Sequence, residues 1–358
     1  MLVNIQILRF FAALLVVFNH TAAHLRASGH DQGVLFALGE STGFGGVDIF
    51  FVISGFIMAW TTVATTGRAD AIAFTKRRIA RIYSGYWPFY LLALALFLAV
   101  GTRDLTNVQF LKSALLWPTE LGRLLIPVSW TLIFEMYFYL MFALLLAYGG
   151  ARRQPLLKLA ALGVLGWSLY SHFGRHAYDP GQLETMSVYE NYLAFPFLLE
   201  FLAGAILADW LRKRPQGPAW SMLVAGIVLW LLGGWINTTQ FEGKLIQGYF
   251  VIWRVLILGL PAILLVAGLV RLENSGRVFL PRFSMLAGGA SYAIYLSHTL
   301  ILAATQAMGL NRWVAQFPAG IAQCVFLLLT VIIVVYSMAH YRWLERPLHR
   351  RFRQLLKS

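Results

Sequence analysis

Residues 4–24 read NIQILRFFAALLVVFNHTAAH, an apolar run interrupted by one arginine and two histidines. A helix needs about 20 mostly apolar residues to cross a bilayer, and this stretch has that length. Others of the same kind follow at roughly 44–64, 83–101, 125–148, 156–173, 191–209, 219–237, 248–270, 287–308 and 315–341. Apolar residues make up 59% of the 358-residue chain and charged residues only 12%. Ordinary globular domains carry about 25% charged residues, so a water-soluble fold of this size is excluded. The expected fold class is all-α: a polytopic membrane helix bundle of about ten transmembrane helices, with the lipid bilayer as its first partner. The segment 105–118 (LTNVQFLKSALLWP) is apolar but short and charged, and is expected at the interface.

The net charge of +14 does not point to nucleic acid, because the basic residues lie between apolar runs. They cluster in alternate connections: at 68–81, 152–158, 212–214, 271–282 and beyond Arg342. Positive-inside bias then predicts an even number of crossings with both termini cytoplasmic. The first helix has no basic leader and no A-x-A-like cleavage site, so it is read as a retained span. One cysteine, Cys324, excludes a disulfide framework, and no histidine cluster has metal-ligand spacing, so no metal is expected.

Ionisable groups inside spans cost several kcal/mol on insertion scales, so each needs a reason. Arg9 and His20 are eleven positions apart, which places them on one helix face about 16 Å apart along the axis. Arg9 alternatively snorkels to lipid phosphate, with His20 bonded to a neighbouring carbonyl. Asp48 enters from the same side as His20, where a carboxylate would fix the tautomer of the imidazole; equally, it caps its own helix. In GGVDIFFVISGF (45–56), the glycines allow close backbone approach. Arg78 and Arg81, three apart, suit either a phosphate or a positive-inside anchor flanked by an aromatic belt of Tyr83, Tyr86 and Trp87. Glu135 lies deep in its span, with Trp130 and Tyr139 near the same side. Ser291, Tyr295 and His298 form a polar stripe that lines a cavity or bonds between helices. Glu200 and Arg254 are further buried charges and candidates to pair with each other.

Together these pieces resemble the acyltransferase 3 integral-membrane acyltransferases, from about Asn4 to Pro347. The resemblance rests on six fragments in order: the R-x10-H of Arg9 and His20, GGVDIFFVISGF at 45–56, RRIARIY at 77–83, SWTLIFEMYFY at 129–139, SYAIYLSH at 291–298 and ERP at 345–347. The opening helix and the WTL-x-x-EM-x-FY form are similar to the branch that includes exopolysaccharide-production O-acetyltransferases. One departure is Ser84 after Tyr83, where the family usually has proline; it leaves the exit from that surface helix open. The resemblance divides the chain into an acyltransferase 3 membrane domain at 1–347 and a short basic cytoplasmic tail at 348–358. No fused hydrolase-like domain is expected after Tyr341.

What the resemblance implies is O-acyl transfer, most often of acetyl, from cytoplasmic acyl-CoA to a hydroxyl of an extracytoplasmic or lipid-linked glycan. The location it implies is a bacterial inner (plasma) membrane, with no tightly bound cofactor, acyl-CoA as co-substrate and polysaccharide-assembly proteins as possible partners. Catalytic roles then fall to His20, with Asp48 or Glu135 orienting it, and donor binding to Arg9, Arg78 and Arg81. Trp130, Tyr292, Tyr295 and His298 are the candidates for substrate or oxyanion contact. Direct transfer and a covalent acyl-His20 intermediate both remain open. The alternative from another class is a proton-coupled secondary transporter or glycan exporter using the buried charges as a relay; a catalytically silent assembly scaffold is a third reading.

Overall fold

Val3–Ala27 forms one unbroken helix (α1), because its leucines, valines and phenylalanines have neighbours on nearly every side. The computed structural model describes residues 2–63, 66–101, 103–179, 181–182, 186–193 and 195–355. After α1 come α2 (Val34–Thr42), α3 (Gly46–Thr61), α4 (Arg68–Val100), the short α5 (Phe110–Ala114), α6 (Trp130–Tyr148), α7 (Arg153–Leu169) and α8 (Val188–Leu193). The second half adds α9 (Phe197–Lys213), α10 (Ala219–Gln240), α11 (Val251–Arg254), α12 (Leu260–Asn274), α13 (Pro281–Ala307), α14 (Leu310–Val314), α15 (Ala319–His340) and α16 (Arg346–Leu355). The all-helical expectation holds, and the protein is a multi-pass membrane protein.

Nine helices among the described residues are long and apolar enough to cross a membrane, against about ten expected. The stretch at 191–209 makes the difference. Its helix begins only after Pro196, as α9, and has 17 residues. Despite that length α9 is central: Phe201, Ala205 and Ala208 are fully buried, and it packs along α3. The contact is close because both sides carry glycine. A Cβ on Gly55 would lie 1.9 Å from the Phe201 carbonyl oxygen, and one on Gly204 2.1 Å from that of Val52. On the opposite side of α3, Gly46 meets the Ala12 carbonyl of α1 in the same way, at 2.2 Å. The small-residue motif therefore clamps α3 between α1 and α9.

Two expectations around α4 are corrected. Residues 68–82 do not form a separate surface helix: α4 runs through Ser84 without an exit and continues past Pro88 for 33 residues in all. The segment 105–118 does not stay at the interface either. It folds back against the middle of α4, where four aromatic side chains hold its carbonyls. Tyr83, Tyr86 and Tyr90 donate their hydroxyls to Leu115, Ser113 and Phe110 at 2.6, 2.9 and 3.0 Å, and the Trp87 indole donates to Ala114 at 3.0 Å. Unpaired backbone groups cost several kcal/mol each in an apolar medium, so these donors permit an irregular chain at this depth. Tyr83, Tyr86 and Trp87 are thus braces rather than an aromatic belt.

The end of the chain returns to α4. After α15 the helix widens through Tyr341–Glu345 and continues as α16. There His349 Nδ1 lies 3.3 Å from Ser84 Oγ, and Phe352 packs against Trp87. Residues 356–358 of the expected basic tail lie outside the described residues.

Candidate active site

The face of α1 that carries Arg9 and His20 borders two cavities. The first, of about 130 Å³, is lined by Arg9, Arg78, Arg81, Glu135, Tyr139 and Tyr292, among others. Three guanidinium groups and one carboxylate therefore meet in one place, from α1, α4 and α6, beside Tyr292 of α13. Arg81 donates to Glu345 at 2.5 Å and lies over the Tyr292 ring. Arg78 lies over the rings of Phe74 and Tyr139, and the Tyr139 hydroxyl donates to Glu135. Arg9 donates only to Gln6 among the described residues, at 3.4 Å. Among the described residues neither Arg9 nor Arg78 has a carboxylate within ion-pairing distance. Three guanidinium groups against the carboxylates of Glu135 and Glu345 leave a net positive charge around a narrow space, which suits an anionic ligand.

The second cavity, of about 700 Å³, is lined by His20, Phe44, Trp130, Phe134, Tyr192 and Arg254, among others. A third hollow, of about 520 Å³, also reaches His20 and lies beside Thr299 and Gln306. The arginine cavity and the histidine chamber share two lining side chains, Val47 and Tyr295. Tyr295 is fixed there: its hydroxyl donates to the Val128 carbonyl at 2.9 Å and accepts from Thr131 Oγ1 at 2.9 Å. A cation site and an imidazole site thus stand at two depths on one helix, separated by a valine and a tyrosine.

A family model described as "Acyltransferase domain" matches residues 2–340, nearly the whole chain. The chain belongs to the acyltransferase 3 family. Among curated proteins it is 30% identical to the exopolysaccharide production protein ExoZ of Rhizobium meliloti (strain 1021), over 89% of this chain and 96% of that one. It is 28% identical to the acyltransferase MdmB of Streptomyces mycarofaciens, over 82% of this chain and 77% of that protein. Nodulation protein 10 of Rhizobium leguminosarum bv. viciae is similar at 25% identity, over 88% of this chain and 86% of its own. No solved structure matches the chain. This acyltransferase 3 protein is therefore a membrane acyltransferase.

Within this member of the family the expected site residues fall into two groups. Arg9, Arg78, Arg81, Glu135 and Tyr292 surround the arginine cavity, while His20 and Trp130 face the chamber and Tyr295 divides the two. Neither carboxylate expected to orient His20 does so. Glu135 is held by Tyr139 in the arginine cavity, and Asp48, fully buried, is bound by Arg254 of α11. The cause is charge: a buried carboxylate takes a guanidinium where one is in reach, and Arg254 offers a two-pronged contact. Arg254 pairs with Asp48 and not with Glu200, whose buried carboxyl lies beside the pair.

His298 stands where the orienting group was sought. It is fully buried, its ring centre is 4.9 Å from that of His20, and its Nδ1 lies 3.2 Å from the Ile294 carbonyl oxygen. A carbonyl accepts only, so Nδ1 carries the proton and Nε2 keeps a lone pair. Nε2 is buried without a hydrogen-bond partner among the described residues. Sequence reasoning also passed over Glu345, a member of the ERP fragment, whose fully buried carboxylate binds Arg81.

Proposed function

We propose that the protein transfers an acyl group, most simply acetyl, from acyl-CoA to a hydroxyl of a glycan on the opposite side of a bacterial inner membrane. The observation that carries this reading is the pair of cavities meeting at Val47 and Tyr295, arginines in one and His20 in the other. The arginine cavity lies on the side of the bundle that bears α16, and delivery of a cytoplasmic donor to it makes that side the cytoplasmic one. Donor phosphates meet Arg78 and Arg81, and the pantetheine arm runs past Arg9 to bring its thioester to the partition. Charge-assisted contacts of this kind favour phosphate over neutral ligands.

In the chamber His20 takes the proton of the acceptor hydroxyl while the oxygen attacks the thioester carbonyl carbon. The carbon–sulfur bond then breaks, and the thiolate leaves with the proton held by His20. His298 Nε2, unpartnered beside the His20 ring, accepts from the second nitrogen of His20 once that ring turns toward it, which keeps the other imidazole nitrogen aimed at the substrate. The developing oxyanion needs a free donor. The Tyr295 hydroxyl is committed to Val128, and that of Tyr292 to Ile82 at 3.2 Å. The Trp130 indole N–H makes no hydrogen bond to a described residue and borders the chamber, so it is the donor of choice. The likeness to ExoZ supports an exopolysaccharide acceptor, and the family match favours transfer over transport.

The test is to supply purified protein in vesicles with acetyl-labelled acetyl-CoA on the α16 side and the cell's own glycan on the other. Label should pass to the glycan, and glycans from cells lacking the protein should be lighter by the acyl mass. Unchanged glycan mass together with no transfer in vesicles would overturn the proposal.

A further inference from the structure

The ion pair between Asp48 and Arg254 leaves one edge of the guanidinium unused. Arg254 Nε lies 3.0 and 3.1 Å from the two Asp48 oxygens; Nη2 donates to Asp48 Oδ2 at 2.6 Å and to the Phe44 carbonyl at 3.1 Å. Nη1 donates to no described residue, and Arg254 is a lining residue of the histidine chamber. The group has little freedom to turn away. The rings of Phe44 and Phe197 lie 5.0 and 4.8 Å from its central carbon, and the residue is 4% exposed.

We infer that Arg254 binds the acceptor: its Nη1 donates to an oxygen of the sugar unit whose hydroxyl is presented to His20, and Asp48 is the positioning residue that aims it. This rests on the transferase reading above. The charge balance names the class of unit. Asp48 cancels the charge of Arg254, and the chamber's Glu120 is paired with Arg123 at 2.9 Å. Apart from titratable His20, the described lining of the chamber thus offers no unpaired charge, while Trp130, Phe134, Tyr192 and Phe195 offer flat apolar faces. An apolar wall with a few fixed polar groups suits a neutral, hydroxyl-rich sugar, and not a uronate or a phosphosugar.

A purely structural ion pair would give the same coordinates, so the test must separate binding from folding. R254K keeps the charge but loses the fork; the double variant D48L/R254M removes both charges at similar volume, an exchange that buried ion pairs often tolerate. Initial rates are measured against neutral acceptor oligosaccharide and against acyl-CoA, and acceptor binding without donor by calorimetry. Both variants are expected to raise the acceptor KM and Kd by about tenfold to a hundredfold, the value of one hydrogen bond from a charged donor. The donor KM and the kcat at saturating acceptor stay at wild-type values. An acceptor KM that does not move, or a donor KM that rises equally, overturns the inference. Should neither variant insert, the wild type still decides: an oligosaccharide carrying uronic acid at the acylated position must bind more weakly than its neutral counterpart, and equal or tighter binding overturns the inference. A wild type that transfers no acyl group defeats the transferase reading instead, an outcome distinct from active transfer with an unmoved acceptor KM.

Discussion

Arg81 and Glu345 are 264 positions apart in sequence and 2.5 Å apart in space. The carboxylate is fully buried where α15 widens into α16, and Gly85, one turn beyond Arg81, leaves room for it and for the Tyr292 ring. The end of the chain is thereby part of the arginine cavity. Only one guanidinium nitrogen of Arg81 is used in the pair, so the remaining edge stays available to the cavity.

That arrangement predicts the effect of Glu345→Gln. The neutral amide keeps the shape and loses the charge-assisted bond, so Arg81 is held less firmly. The KM for acyl-CoA should rise about tenfold, as expected from weakening one such bond. The acceptor KM should stay unchanged, and Glu345→Asp should recover part of the loss. Steady-state kinetics with each substrate varied in turn checks this; equal effects on both substrates would assign Glu345 to general stability.

The two histidines give a second prediction. On the proposed mechanism His20→Ala removes the base, and kcat should fall by about 10²- to 10⁴-fold with normal insertion in the membrane. His298→Ala leaves the base in place but frees its ring, so the loss in kcat should be smaller. His298→Gln offers the amide oxygen as an acceptor for the His20 N–H and should restore part of the rate. The double variant His20→Ala/His298→Ala should be no slower than His20→Ala, because the second residue acts through the first. A further drop in the double variant would give His298 an independent role.

How much of this was legible in the sequence depends on whether a relation is local. Arg9 and His20 share a helix, so the helical period gave both their common face and their separation in depth, and the structure places a cavity at each. Asp48 was placed beside His20 because depth was all the sequence offered. Its true partner, Arg254, lies 206 residues on, and nothing in the spacing of either links them. The stripe at 83, 86, 87 and 90 was partly visible, since those positions fall on one face of a helix. It was read as an interfacial belt because a returning segment leaves no periodic mark of its own. ERP was visible as a fragment, but its role depends on α16 folding back onto α4.

Tyr295 leads to a third prediction. With Val47 it forms the partition between the arginine cavity and the histidine chamber, and its ring is pinned by Val128 and Thr131. Tyr295→Ala should open one cavity into the other and admit water to the thioester. Acyl-CoA hydrolysis without acceptor should then rise severalfold while acyl transfer falls. Tyr295→Phe keeps the ring, and Thr131 can turn its one proton to the Val128 carbonyl, 3.1 Å away, so hydrolysis should remain near the wild-type level. Release of free thiol, followed with and without acceptor, separates the two variants.

The braces on the returning segment supply the last prediction. Tyr86 is fully buried, and its hydroxyl is the donor to the Ser113 carbonyl, whereas the Tyr83 contact to Leu115 is exposed. Tyr86→Phe removes one of two donors on the Ser113 carbonyl, which keeps the Leu116 N–H at 3.2 Å, and the loss of that buried hydrogen bond costs about 0.5–1.5 kcal/mol. Tyr83→Phe removes a bond whose carbonyl partner is open to its surroundings and should cost far less. Thermal denaturation of detergent-solubilised protein should therefore show a clear fall in Tm for Tyr86→Phe and little change for Tyr83→Phe. The loosened segment leads through the buried Leu124–Ile126 strip into α6, which carries Trp130 and Glu135. Tyr86→Phe is accordingly expected to lower kcat as well, although Tyr86 lines neither cavity. Equal melting of the two variants would mean that the segment is held by packing alone.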